Sequence, residues 1–275
     1  EIKSNLLEQT NMELLDNIRY AQRIQGSILP QHNYIAGLLP DHFVFFRPRD
    51  ILSGDFFWVQ EQSKATLSQT EKQNVLIAAV DCTGHGVSGA LLSIVGNNLL
   101  NQALFERHIT KPAEILDFMH EQIFHIWEFT QVKSEIRVHD GMDMALINID
   151  FKRNILNFAG AKNPLCLIRN KELTLYSATK QAIGDRSDVK EHVKFENTEI
   201  ELKKGDALYM FSDGYGDQFG GPKNKKFKDA RLFQMLIDIS ELPMEKQKSI
   251  IHETFDNWKG DTEQIDDVLV IGIKI

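Results

Sequence analysis

The chain has 275 residues, of which 42% are hydrophobic and 25% charged, a balance typical of a folded protein with one substantial core. This composition excludes a disordered, collagen-like or wholly coiled-coil chain. The formal net charge of -8 argues against a broad nucleic-acid-binding surface, so no nucleic-acid partner is expected.

The cellular compartment is indicated by the cysteines and by the hydropathy pattern. Cys82 and Cys166 form no CxxC pair, which favours a reducing compartment over a disulfide-built secreted domain. No apolar run approaches the roughly 20 residues of a membrane helix, so direct membrane insertion is not expected. The chain has no signal peptide and begins with Glu1. We therefore expect the cytoplasmic, C-terminal part of a longer protein.

Residues 1–30 are predicted to form an amphipathic helix that ends at Pro30. A seven-residue repeat, with two further positions on the same face, forms its stripe: Leu7, Leu14, Ile18, Ala21, Gln25 and Ile28. Such a stripe packs either against the chain's own domain or against a second copy. We favour a linker helix that forms a homodimeric coiled coil.

Residues 38–275 are predicted to form a single domain of strands and helices. Apolar or alternating runs predict strands at residues 43–46, 56–59, 75–80, 144–149, 155–159, 165–168, 173–176, 193–202, 207–211 and 268–274. Helices are predicted at residues 87–105, 112–129, 229–240 and 244–258. Several strands follow one another too closely for parallel crossovers. The pattern therefore indicates an α+β fold, with helices outside one or two mainly antiparallel sheets.

Acidic residues lie at four points where a predicted strand meets a loop. They are Asp55, Asp81, Asp213 and the pair Asp266 and Asp267. A single carboxylate at a strand end is usually a turn or cap residue. If the strand ends lie side by side, however, these carboxylates repel one another unless cations neutralise them. Oxygen ligands favour Mg²⁺ or Mn²⁺ over Zn²⁺.

The glycine-rich segment at residues 84–89 has two interpretations. It matches GxGxxG between a predicted strand and a predicted helix, which is the context of a dinucleotide-binding loop. Against this, Asp81 would lie beside the pyrophosphate, and Glu106 ends a helix where the ribose-binding acid should end a strand. We favour glycines that let the backbone turn sharply beside a metal-bound Asp81.

Five segments, in order along the chain, resemble the bacterial sporulation-type (stage II sporulation protein E-like) serine phosphatases of the metal-dependent protein phosphatase 2C superfamily. The segments are RP at 47–48 with SGDFFW at 53–58, AVDCTGHGVSGA at 79–90, FAGAKNP at 158–164, FSDG at 211–214 and QIDDVLV at 264–270. The segment IQGSILP at 24–30 is similar to the linker that precedes this domain in sensor-coupled members. The resemblance implies an αββα sandwich of two mainly antiparallel sheets flanked by helices.

Carried over position by position, the resemblance implies two Mg²⁺ or Mn²⁺ ions. The implied catalytic and metal-binding residues are Asp55, Asp81, Asp213 and Asp266, with the Cys82 carbonyl contributing and Asp267 sharing or replacing the role of Asp266. Many superfamily members have an aspartate for a third metal where this chain has Ala161, so two ions are expected. Such ions lower the pKa of a shared water that attacks phosphorus.

Three further residues are candidates for substrate binding. Arg47 and Arg49 are the nearest guanidinium groups for phosphate capture. His85 is a candidate general acid for the leaving oxygen, and its other interpretation is a residue that shapes the glycine loop. Residues 215–228, rich in glycine and lysine, are either a mobile flap or a solvated loop.

These inferences predict a metal-dependent serine/threonine phosphatase that is the output domain of a larger bacterial sensor protein. The resemblance implies a phosphorylated protein substrate of the anti-sigma-factor antagonist type. The alternative is a catalytically silent, phosphatase-like module that only binds a partner. Because every expected metal position is acidic, the sequence favours the enzyme.

Overall fold

The computed structural model describes residues 2–39, 41–62, 74–131, 140–185 and 194–275. Within these residues the α-helices are α1 Ile2–Ile28, α2 His32–Leu38, α3 Gly86–Asn101, α4 Pro112–Gln131, α5 Gly214–Asp217, α6 Asp229–Ile239 and α7 Met244–Lys259, and a π-helical turn, Gln102–Glu106, continues α3. The strands are β1 His42–Arg47, β2 Phe56–Glu61, β3 Val75–Cys82, β4 Met142–Asp150, β5 Ile155–Ala161, β6 Leu165–Arg169, β7 Glu172–Tyr176, β8 Thr198–Glu201, β9 Ala207–Phe211, β10 Phe219–Gly220, β11 Lys225–Lys226 and β12 Val268–Lys274.

Two five-stranded sheets form the centre of the fold. Sheet A has the order β1-β12-β9-β6-β7, and sheet B has the order β2-β3-β4-β5-β8. Every pair of neighbouring strands in them is antiparallel. The predicted α+β class and the αββα sandwich are therefore confirmed. The antiparallel neighbours of β3 exclude the dinucleotide-binding alternative, which requires parallel strands.

The hydrophobic core has three layers, and the side chains of β3 contribute to two of them. Alternate side chains of a strand point to opposite faces of the sheet. Leu76 and Val80 pack beneath α3 and α4, whereas Val75 and Ile77 pack between the two sheets. A third cluster joins sheet A to α6 and α7. Because β3 is covered on both faces, its sequence is apolar at nearly every position.

The structure corrects two predictions outside the site. The strand predicted at 193–202 is only Thr198–Glu201, and residue 193 lies outside the described residues. The segment 215–228, predicted as a flap or a solvated loop, contains α5 and the β10–β11 hairpin. Tyr215 and Phe227 are buried, and their rings pack edge to face. These two aromatic anchors hold the segment against the domain.

The stripe of α1 is divided between two environments. Ile18, Ala21 and Ile28 are partly buried, and Gln25 is 6% exposed because this end of the helix packs along α3. Leu7 and Leu14 are instead 62% and 57% exposed. The C-terminal half of the stripe thus packs against its own domain, and the N-terminal half lacks a partner within the described residues. Among the described helices, none is long and apolar enough to cross a membrane.

Candidate functional site

The predicted acidic residues meet at one end of the two sheets. In sheet B, the start of β2 pairs with the end of β3, which brings Asp55 beside Asp81. In sheet A, the end of β9 pairs with the first half of β12, so that Asp213 and Asp266 lie at the same end. Antiparallel pairing within each sheet and packing of the two sheets against each other therefore gather residues that are more than 200 positions apart in the sequence.

A polar cleft of about 250 Å³ opens at this end. Its lining residues are Asp81, Cys82, Thr83, Gly84, His85, Asp143, Lys162, Asp213 and Asp266. Asp55 lies deeper, with 2% of its surface exposed. The cleft combines four carboxylates with a single lysine, so its charge is strongly negative when all of these groups are ionised.

Burial and mutual repulsion raise the pKa values of these carboxyl groups. Burial, followed by the charges of Asp213 and Asp266, raises the pKa of Asp81 to about 8. Burial and then Asp266 raise the pKa of Asp213 to about 6. The pKa of Asp55 is raised well above its usual range by burial and then by Asp81. Burial is also the main cause of the raised pKa of Asp266. Such a cluster favours a bound cation, which would hold all four groups ionised.

The donor set fits a hard divalent cation. Asp55 Oδ2 is buried and has no hydrogen-bond partner within the described chain, which leaves it available as a ligand. The neighbouring donors are carboxylate oxygens, as Mg²⁺ and Mn²⁺ prefer. Across the described ranges, no three acidic, histidine or cysteine side chains are close enough to hold one ion together.

Glycines allow the loop before β2 to lie directly on the loop after β3. A Cβ on Gly54 would be 2.5 Å from the Gly84 carbonyl oxygen, and a Cβ on Gly89 would be 2.8 Å from Gly54 Cα. Gly84 and Gly86 also have φ values of 86° and 63°, a region that favours glycine. The glycine-rich motif thus brings two backbone segments into contact beside Asp55 and Asp81.

Asp267 fixes the loop before Asp55 to the start of β12. Its Oδ1 accepts the Arg49 N–H and its Oδ2 accepts the Gly54 N–H, both at 2.7 Å. Both oxygens are therefore engaged with the backbone. Asp266 lines the cleft instead, so Asp266 is the better candidate for a metal ligand and Asp267 for a positioning residue. Cys82 lines the cleft with a buried thiol whose pKa is raised by burial.

The substrate-binding candidates lie in different places. Arg49 Nη2 donates to His85 Nδ1 at 2.5 Å and to Asp50 Oδ2 at 2.8 Å, at the rim of the cleft. Arg47 does not line the cleft: it pairs with Asp256 on α7, and its guanidinium lies over the Phe255 ring.

Gln25 joins the linker helix to the loop that carries Asp55. Its Nε2 donates to the Ser53 carbonyl at 2.5 Å and to Ser93 Oγ at 2.9 Å. Its Oε1 accepts the Ser53 N–H at 3.2 Å. The sequence pattern placed Gln25 in a coiled-coil stripe, whereas the structure uses its amide to position a backbone segment two residues from Asp55.

Asp143 and Lys162 are cleft residues that were missing from the predicted site. Asp143 is directly opposite Asp81 in the pairing of β3 with β4. The available signal was the same as for the other acids, because Asp143 also lies where a strand meets a loop. Lys162 was noted only within a segment that departs from the superfamily pattern.

The comparisons with known proteins agree with this geometry. The family model of stage II sporulation protein E (SpoIIE) matches residues 71–275. The chain belongs to this family. The recognition made from the sequence motifs is thereby confirmed. A comparison with curated proteins gives no match.

Solved structures show the same fold. The SiaA-PP2C domain of Pseudomonas aeruginosa is 29% identical with a TM-score of 0.83, covering 97% of this chain and 98% of that one. The RsbU and RsbW domains of Rv1364c from Mycobacterium tuberculosis are 16% identical with a TM-score of 0.62, covering 86% of this chain and 60% of that one. RsbX in complex with magnesium is 12% identical with a TM-score of 0.54, covering 85% and 94%. The chain thus has the PP2C phosphatase fold found in signalling proteins.

Proposed function

We propose that this chain is a metal-dependent protein phosphatase that hydrolyses phosphoserine or phosphothreonine on a partner protein. The single observation that carries the proposal is the set of carboxylates that four strand ends bring to one cleft. Their raised pKa values and the unpartnered Asp55 Oδ2 support a divalent cation as the missing counter-charge. The family match at residues 71–275 supports phosphate ester hydrolysis as the reaction.

Asp55, Asp81, Asp213 and Asp266 would hold two Mg²⁺ or Mn²⁺ ions, with the Cys82 carbonyl as a further oxygen donor. Bound divalent ions supply an acidic water for attack on phosphorus and positive charge opposite the phosphoryl oxygens. Asp267 keeps Gly54 and Arg49 in place through its two backbone hydrogen bonds.

His85 lines the cleft, where its imidazole can contact a phosphoryl oxygen. Arg49 lies against the ring at Nδ1 and adds positive charge at the rim. Since Arg47 is paired with Asp256 away from the cleft, we assign phosphate binding at the rim to His85 and Arg49.

We propose that the exposed half of the α1 stripe forms a homodimeric coiled coil and that the dimer controls the site. Leu7 and Leu14 are exposed, and two such helices could bury these side chains against each other. Movement of α1 would reach Asp55 through the Gln25 contacts with Ser53. A sensor upstream of α1 would thereby adjust the metal-binding loop.

The proposed substrate is a phosphorylated protein of the anti-sigma-factor antagonist type. The likeness to the RsbU and RsbW domains of Rv1364c supports this class. A silent binding module is the alternative function, but the retained carboxylates at all four expected metal positions favour catalysis.

The first experiment is hydrolysis of para-nitrophenyl phosphate by the 275-residue chain. Turnover is expected with Mn²⁺, is expected to stop with EDTA, and should fall at least about a hundredfold in Asp213→Asn because a charged ligand is lost. The matched control is Asp261→Asn, an exposed carboxylate that does not line the cleft. Absence of turnover together with absence of Mn²⁺ binding in calorimetry would contradict the phosphatase and favour the binding module.

A further inference from the structure

Lys162 and Asp143 lie in one row with Asp81 at the edge of sheet B. The pairing of β3 with β4 sets Asp81 opposite Asp143. The pairing of β4 with β5 ends at Met144 opposite Ala161. Lys162 follows directly, and its Nζ lies 3.4 Å from Asp143 Oδ1. Asp81 and Asp143 face each other on antiparallel strands and so project from the same face of the sheet. The row therefore places a cation two strands away from the central carboxylate of the site.

Lys162 is the one lysine or arginine among the described residues that line the cleft. Its Nζ lies 3.4 Å from Asp143 Oδ1, and 47% of its side chain is exposed. An ammonium has three N–H donors, so this single long contact leaves donors for a ligand. Arg49, assigned above to phosphate binding at the rim, does not itself line the cleft.

The backbone at Lys162 fixes the point from which the side chain leaves the strand. Its φ is 58°, a region that residues with a Cβ rarely adopt. The Lys162 N–H donates to the Thr179 carbonyl at 2.8 Å, and the Asn163 N–H donates to the Ala161 carbonyl at 2.7 Å. These bonds close a tight turn around Lys162.

We propose that Lys162 binds the phosphoryl group of the substrate and that Asp143 positions the Lys162 ammonium. This inference rests on the phosphatase function proposed above. A phosphate monoester is an anion, and the cleft carboxylates repel it. An ammonium is a common point-charge ligand of phosphate, and Lys162 supplies one inside the cleft. Asp143 keeps that ammonium on the cleft side of the turn. Inorganic phosphate, the reaction product, carries the same charge and is a direct probe of the contact.

The test compares Lys162→Met with Lys162→Arg in the full 275-residue chain loaded with Mn²⁺. Loss of one charged hydrogen bond is expected to raise the KM for para-nitrophenyl phosphate and the Kd for inorganic phosphate about ten- to a hundredfold in Lys162→Met. The arginine variant keeps the charge and is expected to stay within about fivefold of wild type. Calorimetry gives the Kd without turnover, and Mn²⁺ affinity should not weaken.

The matched control is Lys152→Met, in the turn at the opposite end of the β4–β5 hairpin, which should leave both constants unchanged. Asp143→Asn is expected to raise KM more than it lowers kcat, with Asp143→Glu restoring KM. Weaker Mn²⁺ binding with unchanged phosphate binding in Asp143→Asn would make Asp143 a metal ligand and overturn its positioning role.

Unchanged phosphate binding in Lys162→Met, beside a wild-type chain that turns over, overturns the Lys162 proposal alone. A wild-type chain that binds Mn²⁺ without any turnover contradicts the phosphatase itself, and the inference that rests on it is then overturned as well.

Discussion

Replacing Asp81 with asparagine tests whether the ionised cleft destabilises the metal-free fold. Burial, followed by Asp213 and Asp266, raises the pKa of Asp81 from 3.8 to about 8. The folded chain therefore keeps a proton on Asp81 at pH values where the unfolded chain has released it. Because the folded state binds more protons, this contribution to stability is fully present below the unfolded pKa of 3.8. It is lost as the pH rises through the folded pKa of about 8.

The expected magnitude follows from the size of the shift. Each pKa unit corresponds to about 1.4 kcal/mol, so ionising Asp81 costs the folded state about 5 kcal/mol by pH 8. Protonation of Asp213 and Asp266 relieves part of this cost, since the groups titrate together. We therefore expect Asp81→Asn to increase the free energy of unfolding by about 2–4 kcal/mol at pH 8, or about 4–8 °C in Tm.

The assay is thermal unfolding in EDTA at pH 8 and at pH 5, with Asp261→Asn as the exposed-carboxylate control. At pH 5 the gain from Asp81→Asn should fall to about one third of its value at pH 8. The reason is that pH 5 lies only slightly above the unfolded pKa of 3.8, so the unfolded chain has gained little free energy by releasing this proton. At pH 8, added Mn²⁺ should raise the Tm of wild type but not that of the variant. Equal Tm values for wild type and variant at pH 8, or a gain independent of pH, would show that the charge of Asp81 does not destabilise the fold.

Two further predictions concern α1. Gln25→Ala leaves the Ser53 backbone groups without their partner, so we expect about 1–3 kcal/mol lower stability and weaker Mn²⁺ binding in calorimetry. The control is Gln9→Ala, on the exposed part of the same helix, which should change neither stability nor Mn²⁺ binding. If the two variants behave alike, the proposal that Gln25 links α1 to the site is contradicted. Leu7→Asp with Leu14→Asp should convert a dimer into a monomer in light scattering at unchanged Tm, whereas a wild-type chain that is already monomeric would contradict the coiled coil.

The positions of the strand-end acids were predictable because they rest on local patterns. The run at residues 75–80 is apolar throughout, which identified a strand covered on both faces, and Asp81 follows it at once. Asp213 also follows a predicted strand, and Asp266 precedes one. Close spacing of the strands indicated antiparallel pairing, and that pairing brings their ends together. The family motifs added the expectation of metal ions to the same positions.

The roles of individual side chains depended on contacts across the sequence, which no local pattern encodes. Arg47 and Arg49 are two residues apart, yet one pairs with Asp256 on α7 and the other reaches His85 at the cleft. The adjacent Asp266 and Asp267 also differ in role. Asp267 accepts hydrogen bonds from two backbone N–H groups, whereas Asp266 lines the cleft.

Local sequence patterns were enough to predict the class of fold, the order of the strands along the chain and the acidic residues at the strand ends, because periodicity and strand-end chemistry are local properties. In contrast, the folded structure was needed to show that Gln25 holds the Ser53 backbone rather than a second helix. It alone set Lys162 beside Asp143 in the cleft. Both outcomes depend on strand register and helix docking, which are fixed by packing between segments far apart in the chain.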